Sequence, residues 1–218
     1  EWAVMFPQRV RSFISLASCM QASAWQIAWS AAGRTALALD PNFRGGDYYD
    51  APPGEGPHRG LAIARAIAQI TYRSDPVFRE RFDRELVDPL DVFHLWDRFQ
   101  VESYLDYHGV KLARRFDANS YLYLNKAMDL HDIGRGRGSV EAAIRRVQAP
   151  SLVVSITSDV LYPTYQQTEM RDALRAQGLR CDFRLIESPH GHDGFLLEID
   201  QIGPVVAEFL TDIEKGDG

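Results

Sequence analysis

The sequence has 218 residues, 45% of them hydrophobic and 25% charged, which is the balance of a globular protein with one or two buried cores. Its net charge of −6 provides no basic field for nucleic acid or anionic lipid, so we expect neither as a partner. No apolar run approaches the roughly 18 residues that cross a bilayer, so we expect no membrane span.

The start of the chain and its cysteines indicate the compartment in which the protein acts. The opening residues, EWAVMFP, lack both an initiator methionine and the basic and apolar regions of a signal peptide. They have the character of the middle of a helix, so we expect further sequence before residue 1. Cys19 and Cys181 have no paired spacing, and we expect buried thiols in a reducing compartment rather than a disulfide.

Strand and helix patterns alternate at the two ends of the chain. Residues 10–18 and 151–156 form short apolar runs, and residues 181–186 alternate apolar and polar side chains, so all three segments are predicted strands. Helical periodicity follows at 165–177 and at 202–213, with Pro204 predicted in the first turn of the last helix. This order predicts an α/β fold with parallel strands and crossover helices.

The middle of the chain is predicted to be almost entirely helical. It contains one loop rich in proline and glycine at 41–59 and helical patterns at 22–39, 60–72, 75–84, 101–116 and 120–130. We therefore predict that a helical insertion, residues 21–148, interrupts a core formed by residues 1–20 and 149–218.

Two loops that follow predicted strands contain residues suited to catalysis. Asp159 comes after the strand at 151–156, and functional groups collect at the carboxyl ends of parallel strands. The alternative is an aspartate that only caps the next helix. His192 lies in a glycine-flanked loop after the next strand, as a general base would. His190, His192 and Asp193 could also bind a metal, but no matching ligand set is present elsewhere, so we predict none.

Together these two residues are more informative than either alone. An acid after one strand and a histidine 33 residues later, after the next strand, have the Asp-then-His order of Ser-His-Asp hydrolases. The preceding G-x-S-x-G motif of that order does not occur in the 218 residues. Arg65 and Tyr72 lie two helical turns apart on one predicted helix face, where they could bind a carboxylate or form an ordinary surface pair.

The sequence resembles homoserine O-acetyltransferases over nearly its whole length. The matching runs are QIAW at 26–29, GR at 33–34, DPN at 40–42, GGDYY at 45–49, VESYL at 101–105, RFDANSYLYL at 115–124, DLHD at 129–132, SDVLYP at 158–163 and GHD at 191–193. The resemblance implies the C-terminal part of an α/β-hydrolase fold with an inserted helical lid. One departure is His190, where the family more often has an aromatic residue.

The resemblance also implies functional roles. It makes Asp159 and His192 the acid and base of a catalytic triad, and Arg65, Tyr72 and Asp193 contacts of homoserine. The implied reaction transfers an acetyl group from acetyl-CoA to homoserine through an acyl-serine, with no cofactor. The implied setting is methionine biosynthesis in the cytoplasm, by a homodimer formed through the lid helices.

Four alternatives remain at this point. The acyl donor could be succinyl-CoA, the acceptor could be serine, or water could replace the acceptor in an esterase. The chain could also be a non-catalytic association module, because its residues include no nucleophile in a G-x-S-x-G motif. We expect the isolated chain to be inactive, with the nucleophile shortly before residue 1.

Overall fold

The computed structural model describes residues 1–52, 54–88, 95–96 and 98–215. The other residues of the predicted insertion and of the predicted C-terminal segment lie outside this description. In chain order the elements are α1 (Trp2–Met5), β1 (Phe13–Leu16), α2 (Ala24–Ala38), α3 (His58–Tyr72), α4 (Asp75–Phe82), α5 (Gln100–Ala113), α6 (Ala118–Asp129), α7 (Val140–Ile144), β2 (Ser151–Ile156), α8 (Thr164–Ala176), β3 (Cys181–Ile186), α9 (Gly194–Leu197) and α10 (Ile199–Lys215).

The chain divides into two compact units. The sheet unit consists of Glu1–Ala22 and His131–Gly218, and the helical unit consists of Ser23–Leu130. Residues 21–22 and 131–148, which the sequence predicts as part of the insertion, fall in the sheet unit. The reason is packing, since Ile133, Ile144 and Val147 share one hydrophobic core with residues of the sheet.

The described strands form a parallel sheet in the order β1-β2-β3. Strand β2 is central and buried along its whole length, which its continuous apolar sequence predicts. Val153 packs into one core cluster, whereas Leu152 and Val154 pack into a second, because successive side chains point to opposite faces of a strand. The first cluster includes Leu174 of α8 and the second includes Phe209 of α10. Helices thus cover both faces of the sheet.

The helical unit has a separate core in which glycines allow close helix packing. A Cβ atom at Gly60 of α3 would lie 2.8 Å from the Cα atom of Leu37 in α2. One at Gly109 of α5 would lie 2.6 Å from the carbonyl oxygen of Ala62 in α3. Larger residues at either position would push these helices apart. The core between them includes Leu37, Leu61 and Leu112.

Two predicted details differ in the structure. Strand β1 is shorter than the predicted 10–18, because its pairing with β2 begins only at Phe13, opposite Ser151, and Ala17 leaves the extended region with φ of 44°. Helix α10 begins at Ile199, so Pro204 lies in its interior rather than in its first turn. Its nitrogen has no hydrogen to donate to the preceding turn. Within the described residues, no helix is long and apolar enough to cross a membrane.

Candidate active site

Asp159 is held at the carboxyl end of β2 by the backbone that follows it. Its side chain has no exposed surface. One carboxylate oxygen, Oδ1, accepts hydrogen bonds from the amides of Leu161 and Tyr162, each at 2.8 Å. The other, Oδ2, lies 2.8 Å from Nδ1 of His192. The two amides hold the carboxylate in one orientation. Hydrogen bonds to an ionised group are stronger than those between neutral groups.

His192 lies in a short 3₁₀ turn, Gly191–Asp193, after β3. An ionised carboxylate can only accept, so Nδ1 of His192 donates the proton of the bond to Asp159. The other ring nitrogen, Nε2, is then the basic one. The side chain is 16% exposed, enough for a reacting group to reach it. A histidine oriented in this way by a buried carboxylate has the geometry of a general base.

Two aromatic rings flank the imidazole of His192. The ring of Tyr162 stacks on it with centroids 5.0 Å apart and planes at 26°, and the ring of Phe195 is tilted at 5.1 Å. These contacts restrict rotation of the imidazole and favour the orientation in which Nδ1 forms its hydrogen bond to Asp159. We did not predict either role from the sequence. A usable signal was present for Phe195, because it follows His192 by three residues in a helical turn.

The loop that carries His192 packs closely against the end of β2. A Cβ atom at Gly194 would lie 2.8 Å from Cγ2 of Ile156 and 3.0 Å from Oγ of Ser188. Glycine is therefore needed there for space. Gly191 has φ of +67°, a conformation that glycine adopts without strain. Asp193 is partly buried directly beside His192.

The remaining predicted residues, Arg65 and Tyr72, lie on α3 in the helical unit. The Cζ atom of Arg65 is 5.0 Å from the centroid of the Tyr72 ring, so the two side chains share a helix face as predicted. A guanidinium over an aromatic ring is attracted by the ring quadrupole. Asp159, His192 and Asp193 lie in the sheet unit, and a joint role with Arg65 and Tyr72 stays a prediction. Across the described ranges, no three His, Cys, Asp or Glu side chains are grouped as a metal site requires.

Comparison with known families agrees with this geometry. A family model described as alpha/beta hydrolase fold matches residues 1–199. The chain belongs to the α/β-hydrolase family. This assignment confirms the predicted fold class. Asp159 and His192 follow β2 and β3 in the Asp-then-His order of that fold, and their catalytic roles stay a prediction.

Within the α/β-hydrolase family, the similar curated proteins are homoserine O-acetyltransferases, which confirms the resemblance seen in the sequence. The protein of Thermobifida fusca (strain YX) is 51% identical over 211 residues, which cover 97% of this chain and 54% of the relative. The protein of Carboxydothermus hydrogenoformans is 46% identical over 96% of this chain and 55% of the relative. This α/β-hydrolase chain thus spans about half the length of the curated relatives that it matches.

Solved structures show the same relationship. The homoserine O-acetyltransferase of Bacillus anthracis superposes with a TM-score of 0.87 at 27% identity, over 96% of this chain and 55% of that one. Esterase E22 superposes with a TM-score of 0.86 at 21% identity, over 96% and 56% of the two chains. At that identity the second likeness shows the α/β-hydrolase fold alone.

Proposed function

We propose that this sequence provides the acid and base of a homoserine O-acetyltransferase. The observation that carries the proposal is the hydrogen bond from Nδ1 of His192 to Oδ2 of Asp159, 2.8 Å long, in a chain 51% identical to such an enzyme. The pair supports acyl transfer, and the identity supports acetyl-CoA and homoserine as the proposed substrates. No cofactor is required. We further infer a place in methionine biosynthesis in the cytoplasm.

In the proposed reaction His192 accepts and then donates the transferred proton in each half-reaction. A serine hydroxyl gives its proton to Nε2 and attacks the thioester of acetyl-CoA, and CoA leaves as the thiol with that proton. The homoserine hydroxyl then gives its proton to the same nitrogen and attacks the acyl-serine, which releases O-acetylhomoserine and returns the proton to serine. Asp159 stabilises the imidazolium in both halves. The serine lies outside these 218 residues, because none of them is in a G-x-S-x-G motif.

The acceptor is proposed to bind through both of its charged groups. The guanidinium of Arg65 would pair with the homoserine carboxylate, and the carboxylate of Asp193 would pair with the ammonium. Tyr72 would add a hydroxyl beside Arg65. Such a clamp holds the acceptor hydroxyl against the acyl-serine, which distinguishes a transferase from an esterase that uses water.

The experiment measures CoA release by the complete protein that contains this sequence. We expect turnover with acetyl-CoA and homoserine, and much slower turnover with succinyl-CoA, with serine or without an acceptor. His192→Ala should lower kcat by about a thousandfold or more, because the general base is lost. His190→Gln, two residues away, is the matched control and should remain active.

Three results of this experiment would overturn the proposal. Equal CoA release with and without homoserine would indicate an esterase. A preference for succinyl-CoA or serine would indicate another transferase. Full activity of His192→Ala would show that the reaction does not use His192 as its base. The 218 residues alone should release no CoA, and turnover by them would show that the nucleophile lies within this sequence.

A homodimer is the proposed assembly of the complete protein. Apolar side chains are exposed on two helices of the helical unit, namely Tyr107 and Val110 on α5 and Leu124 and Met128 on α6. Residues three or four apart lie on one helix face, so each helix presents a small apolar stripe. Exposed apolar stripes of this kind support an association surface.

A further inference from the structure

The hydroxyl of Ser158 joins the loop of the acid to the loop of the base. Its Oγ atom donates to the carbonyl oxygen of Ser188 at 2.6 Å and accepts from the amide of Gly191 at 2.8 Å. Ser158 directly precedes Asp159, and Gly191 directly precedes His192. One side chain thus connects the two neighbours of the Asp159–His192 pair, across 33 residues of sequence.

The neighbouring hydroxyls, those of Thr157 and Ser188, contact the loop at positions farther from His192 than Gly191. Thr157 accepts from the amide of Ser188 at 3.1 Å and donates to its carbonyl at 3.3 Å. The Ser188 hydroxyl accepts from the amide of His190 at 3.1 Å. If Ser158 lost its hydroxyl, the Ser188 carbonyl would keep a donor in Thr157. The Gly191 amide would lose the partner that fixes the peptide between His190 and Gly191, one residue before His192.

We propose that Ser158 is a positioning residue that sets the distance between Asp159 and His192. The two residues follow separate strands, and the His192 loop includes Gly191, whose backbone freedom favours small displacements. The shared hydroxyl removes that freedom. This inference rests on the proposed acyl transfer for its kinetic consequence, but its structural consequence does not depend on the substrate.

The kinetic test compares Ser158→Ala with Ser158→Thr in the complete protein. Ser158→Ala should lower kcat by about tenfold to a hundredfold, the effect of a displacement of about 1 Å in a catalytic group. The KM for homoserine should stay unchanged, because no substrate contact is lost. Ser158→Thr keeps the hydroxyl and should recover most of kcat. Thr211→Val is the matched control, since it removes an exposed hydroxyl that donates to a carbonyl in α10.

A spectroscopic test observes the same hydrogen bond without substrate. Proton NMR should show the Nδ1 proton of His192 at low field, and His192→Ala should assign the signal by removing it. In Ser158→Ala the signal should move upfield or broaden as the bond to Asp159 lengthens. Ser158→Thr and Thr211→Val should keep it.

The outcomes separate this inference from the proposed function. An unchanged signal and unchanged kcat in Ser158→Ala would overturn the positioning role. A lower melting temperature with kcat and the signal unchanged would also overturn it, because Ser158 would then serve stability alone. If the signal responds as expected but the protein shows no transferase activity, the positioning role stands and the proposed function fails.

Discussion

The carboxylate of Asp159 is specified by its immediate chain neighbours. The two amides from which it accepts hydrogen bonds, those of Leu161 and Tyr162, follow within three residues, so contacts local to the turn after β2 orient the acid. His192 differs, because its position depends on residues from another loop. The acid is therefore locally determined, whereas the base is placed by tertiary contacts.

The proposed role of Arg65 leads to a prediction at the residue scale. Arg65→Ala should weaken transfer of the acetyl group to homoserine by about tenfold to a hundredfold, the effect of losing a hydrogen-bonded charge. Formation of the acetyl-enzyme should change little. The measurement is the initial burst of CoA release without acceptor, followed by turnover with homoserine.

Arg59 provides the control for this experiment. It is exposed on the same helix, α3, six positions before Arg65, and this offset places the two side chains on different faces. Arg59→Ala should leave both half-reactions unchanged. Equal losses of acetylation and transfer in Arg65→Ala would contradict a carboxylate-binding role.

At the scale of elements, the ends of a strand could be predicted where the pattern of apolar and polar residues was clear. The predicted limits of β2 and β3 match the structure, because β2 is a continuous apolar run after a proline and β3 alternates in polarity. The end of β1 could not be predicted, since it depends on the positive φ of Ala17, a residue that rarely adopts this conformation. The start of α10 was missed because Pro204 suggested a later first turn.

The carboxylate of Asp117 stabilises the start of α6 and accepts several hydrogen bonds. Asp117 accepts from the Ser120 amide at 2.7 Å, from the Tyr48 hydroxyl at 2.5 Å and from the Tyr49 hydroxyl at 3.2 Å. Burial by itself would raise the pKa of Asp117, but these hydrogen bonds outweigh it and the pKa is lowered. Burial and the contact with Asp117 raise the pKa of the Tyr48 hydroxyl.

This arrangement predicts a pH dependence of stability. Because the folded pKa of Asp117 is lowered, its contribution is present above the ordinary aspartate pKa of about 3.9 and is lost as pH falls through the folded value. Asp117→Asn should destabilise the protein at pH 7, by about 1 kcal/mol for a weakened cap, and the difference should shrink below pH of about 4. Urea unfolding at several pH values measures it.

Asp50→Asn is the control for the Asp117 experiment. Asp50 has a largely exposed side chain, paired with Arg44 at 3.5 Å, and exposed pairs contribute little to stability. A constant difference between Asp117→Asn and the unsubstituted protein from pH 7 to pH 3 would refute the ionic role of Asp117.

At the scale of the whole molecule, the proposed homodimer can be tested by light scattering. The complete protein should have twice the monomer mass. Replacing Leu124 and Met128 of α6 by Asp should reduce it to the monomer mass, because charges in an apolar interface are costly to bury. Leu210→Asp on α10, an exposed position in the sheet unit, should leave the mass unchanged. A dimer that survives both substitutions in α6 would place the interface elsewhere.

The sequence by itself determined the family, the α/β class and the identity of the candidate acid and base. These depend on local information, namely strand patterns, the order of Asp159 and His192, and long matching runs. Only the tertiary structure decided that these two side chains meet at 2.8 Å, that the Tyr162 ring stacks on the imidazole, and that Ser158 joins the two loops. The physical reason is that hydrogen bonds and ring contacts require distances set to a few tenths of an ångström. Residues about thirty positions apart in sequence reach such distances only after β2 and β3 have paired in register.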